Sequence, residues 1–123
     1  MTVTRSAVIG VLGLALGSNG ALAFECPQHF EAAEQQMEKV MQDMEGMEAM
    51  MSGDDMMLVH ALLDDAKMLL EGARHNHEKP QGAYDHGRAI AKADAALGYA
   101  TAADILHFHY MQTMEESGME DDQ

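Results

Sequence analysis

The chain has 123 residues, of which 47% are hydrophobic, and its 21 acidic residues outweigh 7 basic ones to give a formal net charge of −14 at neutral pH. Such a charge disfavours binding to nucleic acid and to anionic membrane surfaces, and it attracts cations. Cys26 is the single cysteine, which excludes an intramolecular disulfide. Stability must therefore come from packing, from a ligand or from self-association.

The N-terminal segment has the pattern of a secretory signal. Arg5 precedes the apolar run SAVIGVLGLALG, and the segment ends in ALA at positions 21–23, a small-x-small pattern that signal peptidase accepts. The apolar run is short for a membrane span, and an uncleaved anchor is the alternative. We predict a signal peptide over residues 1–23, cleaved after Ala23, and a mature protein that is periplasmic or secreted and not attached to a membrane.

The rest of the sequence is typical of helices, because Ala, Met, Leu, Glu and Lys dominate while β-branched and aromatic residues are sparse. Pro27 suits the first turn of a helix. Start and stop signals predict four helices over residues 27–51, 53–76, 82–97 and 102–116, followed by a flexible acidic tail over residues 117–123.

Capping signals set the inner boundaries of these helices. Ser52 and Asp55 resemble a capping box at the start of the second helix, and Gly98 is placed to end the third. Thr101 and Asp104 resemble another capping box, which opens the fourth. Each helix has an apolar stripe and the connections are short, which favours an antiparallel up-down-up-down four-helix bundle in one domain over residues 24–116.

Such a bundle gathers six of the seven histidines at one end, because the fourth helix returns to the end where the first begins. His75 and His77 form an H-x-H step at the end of the second helix. His86 and His109 lie on predicted core stripes, where an imidazole needs a metal, a haem iron or a carboxylate as partner. Thiolate and imidazole ligands suit copper and zinc. The predicted metal ligands at this end are Cys26, His29, His75, His77, His86 and His109.

Residues 41–57, MQDMEGMEAMMSGDDMM, contain seven methionines. Met41, Met44 and Met51 lie at core spacing, whereas Met50 is turned about 180° from Met41 on a helix. The first two helices are longer than the others and are predicted to project as a hairpin tip. Thioethers in this tip suit copper(I), or else a surface for a partner or a homodimer. The methionines concerned are Met47, Met50, Met51, Met56 and Met57.

The stretch YDHGRAIAKADAALGYATAADILHFHY, residues 84–110, resembles periplasmic small metal-binding proteins, which are His-rich four-helix bundles that sequester copper and other divalent ions. The likeness lies in an alanine-rich helix, a glycine break and a second alanine-rich helix with spaced histidines. It covers 27 residues, and this chain has fewer histidines and more methionines than the family. The resemblance implies a non-enzymatic protein that sequesters or transports copper.

Two other functions stay open from the sequence. Length, secretion and bundle also resemble the haem-b four-helix cytochromes, which hold iron with a methionine of the first helix and a histidine of the last. Met37 and His109 are the residues that match, and covalent attachment is excluded because the sequence has no C-x-x-C-H. The other function is a helical interaction module that dimerises through the methionine tip or Cys26. No enzyme activity is predicted, since P-loop, H-E-x-x-H and nucleophile-elbow motifs are all missing from the sequence.

Overall fold

The computed structural model describes residues 18–120, with side chains from 23 to 118. This region contains three helices: α1, Ser18–Met44; α2, Gly53–Glu78; and α3, Asp85–Glu120. The all-α class predicted from the sequence is confirmed for the described residues. Most of the predicted signal peptide (residues 1–17) and the last three residues of the predicted tail lie outside them.

The prediction of four helices is wrong for this region, because α3 runs through the expected break. Thr101 does not cap a helix; its Oγ1 donates a hydrogen bond to the Leu97 carbonyl at 2.8 Å, one turn back in the same helix. An isolated glycine costs a helix only about 1 kcal/mol relative to alanine, so Gly98 is a weak stop. A buried stripe at spacings of three and four continues across it and keeps α3 intact: Ala89, Ala93, Ala96, Ala100, Ala103 and His107.

Helices α1 and α3 run parallel to each other. His29, in the N-terminal half of α1, pairs with Asp94, and Lys39, one to two turns before the end of α1, pairs with Asp104. The two contacts come in the same order along both helices, so α1 and α3 point in the same direction. The helix between them, α2, joins both through short connections and runs in the opposite direction.

This arrangement gives the molecule two ends with different compositions. The cysteine end contains Cys26 and the connection 79–84 between α2 and α3, and the methionine end contains the connection 45–52 between α1 and α2. At the methionine end, Tyr110 of α3 donates its hydroxyl to the Met50 carbonyl at 2.5 Å. Helix α3 continues beyond this contact to Glu120, so the methionine hairpin is flanked by α3 and does not project as a free tip. That prediction is wrong because it assumed a short third helix.

The core is made of small side chains and divides into two clusters. At the cysteine end, alanines of all three helices surround Phe30 and Leu70, and Cys26 is part of the same cluster. At the methionine end, Val40, Met44 and Val59 are joined by Met51, Leu63 and Ala103. Met37 contacts both clusters. The alanine stripe of α3 lets its backbone approach both other helices closely, which fixes its rotation about its own axis.

Helix α1 begins at Ser18 and runs through the predicted cleavage position, Ala23. Pro27 lies inside the helix, where it removes one backbone hydrogen bond at a typical cost of about 3 kcal/mol. Among the described helices, none has a stretch both long and apolar enough to cross a membrane.

Candidate metal centre

Three potential ligands from three different helices meet at the cysteine end. Cys26 belongs to α1, His77 lies in the last turn of α2, and His86 lies in the first turn of α3. One ligand atom of each lies within 4.8 Å of the other two. The meeting follows from the topology, because the N-terminal half of α1, the end of α2 and the start of α3 share this end.

A buried carboxylate fixes the connection that positions His86. Asp85 accepts backbone hydrogen bonds from Gln81 at 2.5 Å and from Gly82 at 3.1 Å, and Arg88 donates to it from Nη1 at 3.1 Å. The Gln81 hydrogen bond is the main cause that holds the pKa of Asp85 below its ordinary value, and Gly82 and Arg88 lower it further against the opposing effect of burial. The loop and the first turn of α3 are thus tied together one residue before His86.

Both imidazoles of this group carry a nitrogen that is buried and unsatisfied. Within the described part of the chain, Nδ1 of His77 and Nδ1 of His86 have no hydrogen-bond partner. The two rings meet edge to face with centroids 5.4 Å apart, and Phe30 packs on His77 at 5.5 Å. A buried polar atom without a hydrogen-bond partner destabilises the folded state by about 1–3 kcal/mol. A cation bound at such a nitrogen would remove that cost.

The Cys26 side chain is fully buried, and its Sγ donates to the His86 carbonyl at 3.6 Å. Burial is the main cause that raises the pKa of the thiol, and the charge of Glu25 raises it further, although a backbone hydrogen bond acts in the opposite direction. The group is therefore a thiol at neutral pH. A metal ion would bind the thiolate and release its proton.

The ligand set is one sulfur and two imidazole nitrogens, which is the chemistry of copper and zinc sites. Thiolate favours soft ions and imidazole suits borderline ones. Three protein ligands leave room for a further ligand on zinc, whose sites usually have four.

Two other predicted ligands at this end lie apart from the group. The Nδ1 of His29 pairs with Asp94 at 2.5 Å. His75 is exposed and lines an open groove of about 270 Å³ beside Asp85 and Arg88. It precedes His77 by two positions on α2, a rotation of about 200°, so the two imidazoles of the H-x-H step lie on different faces.

The structure does not bring Met37 and His109 together. Met37 is half-buried and lines a groove with Glu34 and Arg74, between α1 and α2. His109 is exposed and lines another groove, with Lys39 and Asp104, between α1 and α3. Because α3 does not turn back at Gly98, His109 lies at the methionine end and away from the ligands at the cysteine end.

The methionines divide by burial. Met44 is buried in the core, as its helical spacing predicts, whereas Met41 is exposed. Met51 is also buried, but it lies in the connection 45–52 and not on the helix for which that spacing was predicted. Met47 and Met56 are half-buried and pack against the same core cluster. Met50 and Met57 are exposed, so two of the five predicted thioether ligands are freely accessible to solvent.

A second group of ligand atoms, which sequence reasoning missed, lies at the methionine end. It comprises Asp43, Asp104 and His107. His107 is only 8% exposed, whereas His109, which was predicted to lie on a core stripe, is exposed, so the stripe predicted for this part of α3 has the wrong phase. The recurrence of alanine at spacings of three and four, from residue 89 to 103, extends to position 107 and is the signal that could have identified it.

No family model, curated protein or solved structure matches this chain. The likeness of residues 84–110 to small periplasmic metal-binding proteins therefore stays a prediction. The alanine–glycine–alanine pattern on which it was based forms one continuous helix here.

Proposed function

We propose that this chain is a non-enzymatic metal-binding protein of the periplasm or the secreted fraction, which sequesters or carries copper at Cys26, His77 and His86. One observation carries the proposal. The ligand atoms of these residues lie within 4.8 Å of one another, and both imidazoles have a buried nitrogen that no group of the described chain satisfies. A cation bound between the three side chains would share these ligand atoms.

Copper is favoured by the donors, and the negative charge of the protein favours the binding of any cation. A thiolate beside two imidazoles selects copper(I) among soft ions, and Zn²⁺ is the competitor that this set also suits. The net charge of −14 attracts cations of either kind. Exposed Met50 and Met57 add thioethers, which prefer copper(I) over zinc.

The position of Pro27 supports secretion with cleavage after Ala23. In the uncleaved chain Pro27 interrupts the hydrogen bonding of α1. A chain that begins at Phe24 would instead place Pro27 in the first helical turn, where the missing N–H has no partner to lose. Cleavage would thus remove the conflict and leave Cys26 near the new N-terminus.

Binding of an ion would couple the three helices at this end. The Cys26 proton would be lost, and one sulfur and two nitrogens from α1, α2 and α3 would share the cation. Because the unfolded chain does not hold these groups together, binding would stabilise the fold, by about 2.7 kcal/mol when free metal exceeds its Kd a hundredfold.

The test is a competition titration of the purified chain with copper(I), in the presence of a chelator that leaves only tight sites occupied. We expect Cys26→Ser, His77→Gln and His86→Gln each to weaken binding by at least about tenfold. Even the removal of a residue that only hydrogen-bonds to a metal ligand weakens metal binding by that much. His75→Gln and His29→Gln are matched controls and should bind as the unmodified chain does.

Two results would contradict the proposal. One is a copper(I) affinity of the unmodified chain no tighter than about micromolar. The other is an equal loss in the His75→Gln and His77→Gln variants, which would show that histidines bind irrespective of their place in the fold.

A further inference from the structure

A second group of ligands lies at the opposite end of the helices from Cys26. A carboxylate oxygen of Asp43, a carboxylate oxygen of Asp104 and a ring nitrogen of His107 lie within 4.8 Å of one another. Asp104 and His107 are three residues apart and share a face of α3. Helix α1, packed parallel to α3, supplies Asp43.

His107 distinguishes this group from an ordinary cluster of surface carboxylates. Its side chain is more than nine-tenths buried, at 8% exposure, and its Nε2 has no hydrogen-bond partner among residues 18–120. Alanine occupies the preceding positions of the same stripe, Ala100 and Ala103. An imidazole in such a stripe, next to two carboxylates and with an unsatisfied nitrogen, needs a physical reason.

The positively charged side chain of Lys39 already pairs with the two carboxylates. Lys39 Nζ contacts Asp43 Oδ2 at 2.7 Å and Asp104 Oδ1 at 3.0 Å, while Gln36 donates to Asp104 Oδ2 at 3.1 Å. The hydrogen bond to Asp43 is the main cause that raises the pKa of Lys39, so the group stays charged at neutral pH. Lys39 is 53% exposed and can leave the carboxylates by rotation of its side chain.

We propose that Asp43, Asp104 and His107 form a second metal site, which binds a divalent cation that displaces the Lys39 ammonium from the two carboxylates. Two oxygens and one imidazole nitrogen suit a hard or borderline ion such as Mn²⁺ and offer nothing that selects copper(I). Asp43 and Asp104 are both partly exposed, so water can complete the coordination. The molecule would then hold two unlike ions, a soft one at the cysteine end and a harder one at the methionine end.

The test is a titration of the full chain with Mn²⁺, followed through the electron paramagnetic resonance signal of the free ion. We expect saturation at one ion per chain. Asp43→Asn and Asp104→Asn should each weaken binding by at least about tenfold. Lys39→Met should tighten it by about two- to fivefold, the equivalent of a surface ion pair that no longer competes.

Asp65→Asn is the matched control, because it removes the same charge from an exposed position on α2 and should leave Mn²⁺ binding unchanged. His107→Gln should weaken binding, and circular dichroism should show that the variant is folded. Asp43 is exposed, so the Asp43→Asn result does not depend on a core substitution.

Non-saturable Mn²⁺ binding, equal binding by Asp43→Asn and Asp65→Asn, or no tightening in Lys39→Met would overturn the second site. Cys26→Ser separates this outcome from the copper proposal. It should leave Mn²⁺ binding intact while it weakens copper(I) binding, and Asp43→Asn should do the opposite.

Discussion

At the scale of single residues, the buried polar groups of the cysteine end differ in how completely they are hydrogen-bonded. Asp85 is fully engaged, since two backbone N–H groups and Arg88 donate to its carboxylate. His77 and His86, close by, each keep an unsatisfied nitrogen. Asp85 holds the loop in place for the fold, whereas the unsatisfied Nδ1 atoms of His77 and His86 are consistent with the ligand role that we propose for these two residues.

Asp85→Asn tests the structural half of this distinction. Because the folded state lowers the pKa of Asp85, its ionised form contributes stability above the unfolded pKa of about 4, and that contribution disappears as the pH falls through the lower folded value. We expect the variant to have a smaller free energy of unfolding in urea at neutral pH, and the difference from the unmodified chain to shrink on acidification. Asp65→Asn provides the exposed comparison, and a difference that is constant with pH would contradict this role.

His86→Leu tests the ligand half. Removal of a buried, unsatisfied nitrogen should leave the metal-free protein as stable as before or raise its stability by about 1 kcal/mol. The same change should abolish most of the rise in melting temperature that copper(I) produces in the unmodified chain. Thermal unfolding with and without metal measures both effects. Strong destabilisation of the metal-free variant would instead show that His86 has a packing role.

At the scale of elements, α3 explains most of the differences between expectation and structure. The sequence contains both a glycine and a capping-box pattern at the point where a break was predicted, and these are local signals. The buried alanine stripe is a tertiary signal, because its value depends on two other helices packed against it. The helix continues through Gly98 because the free-energy cost of one glycine is small compared with the stabilisation from burying a stripe shared with α1 and α2.

Gly98→Ala discriminates between the two interpretations of this position. In the structure Gly98 is helical, no described glycine has a positive φ, and an added Cβ would meet no atom within 4 Å. We therefore expect the substitution to increase the free energy of unfolding by about 0.5–1 kcal/mol. If Gly98 instead ended a helix in the left-handed conformation, the substitution would lower the free energy of unfolding. A destabilised variant would therefore support the predicted helix break at Gly98. Chemical denaturation at neutral pH is sufficient for the measurement.

At the scale of the whole molecule, the two ends carry different potential metal-ligating residues. The path of the chain through the three helices decides which residues meet at each end. That Cys26, His77 and His86 come together could be predicted from the sequence, since a short connection joins α2 to α3 whatever α3 does afterwards. The place of His107 and His109 could not, because it depends on whether α3 turns back. The exposure of Met41 and the burial of His107 likewise follow from the rotation of helices about their axes, which only the packed structure sets.

The central claim is that copper is held by one cysteine sulfur and two imidazole nitrogens at the cysteine end. X-ray absorption at the copper edge, on the chain loaded with one equivalent of copper(I), tests it most directly. We predict a shell of one sulfur and two nitrogens, with the sulfur lost in Cys26→Ser and retained in Met50→Leu. A shell made of sulfur alone, unchanged in Cys26→Ser, would contradict the claim and assign the copper to the methionines.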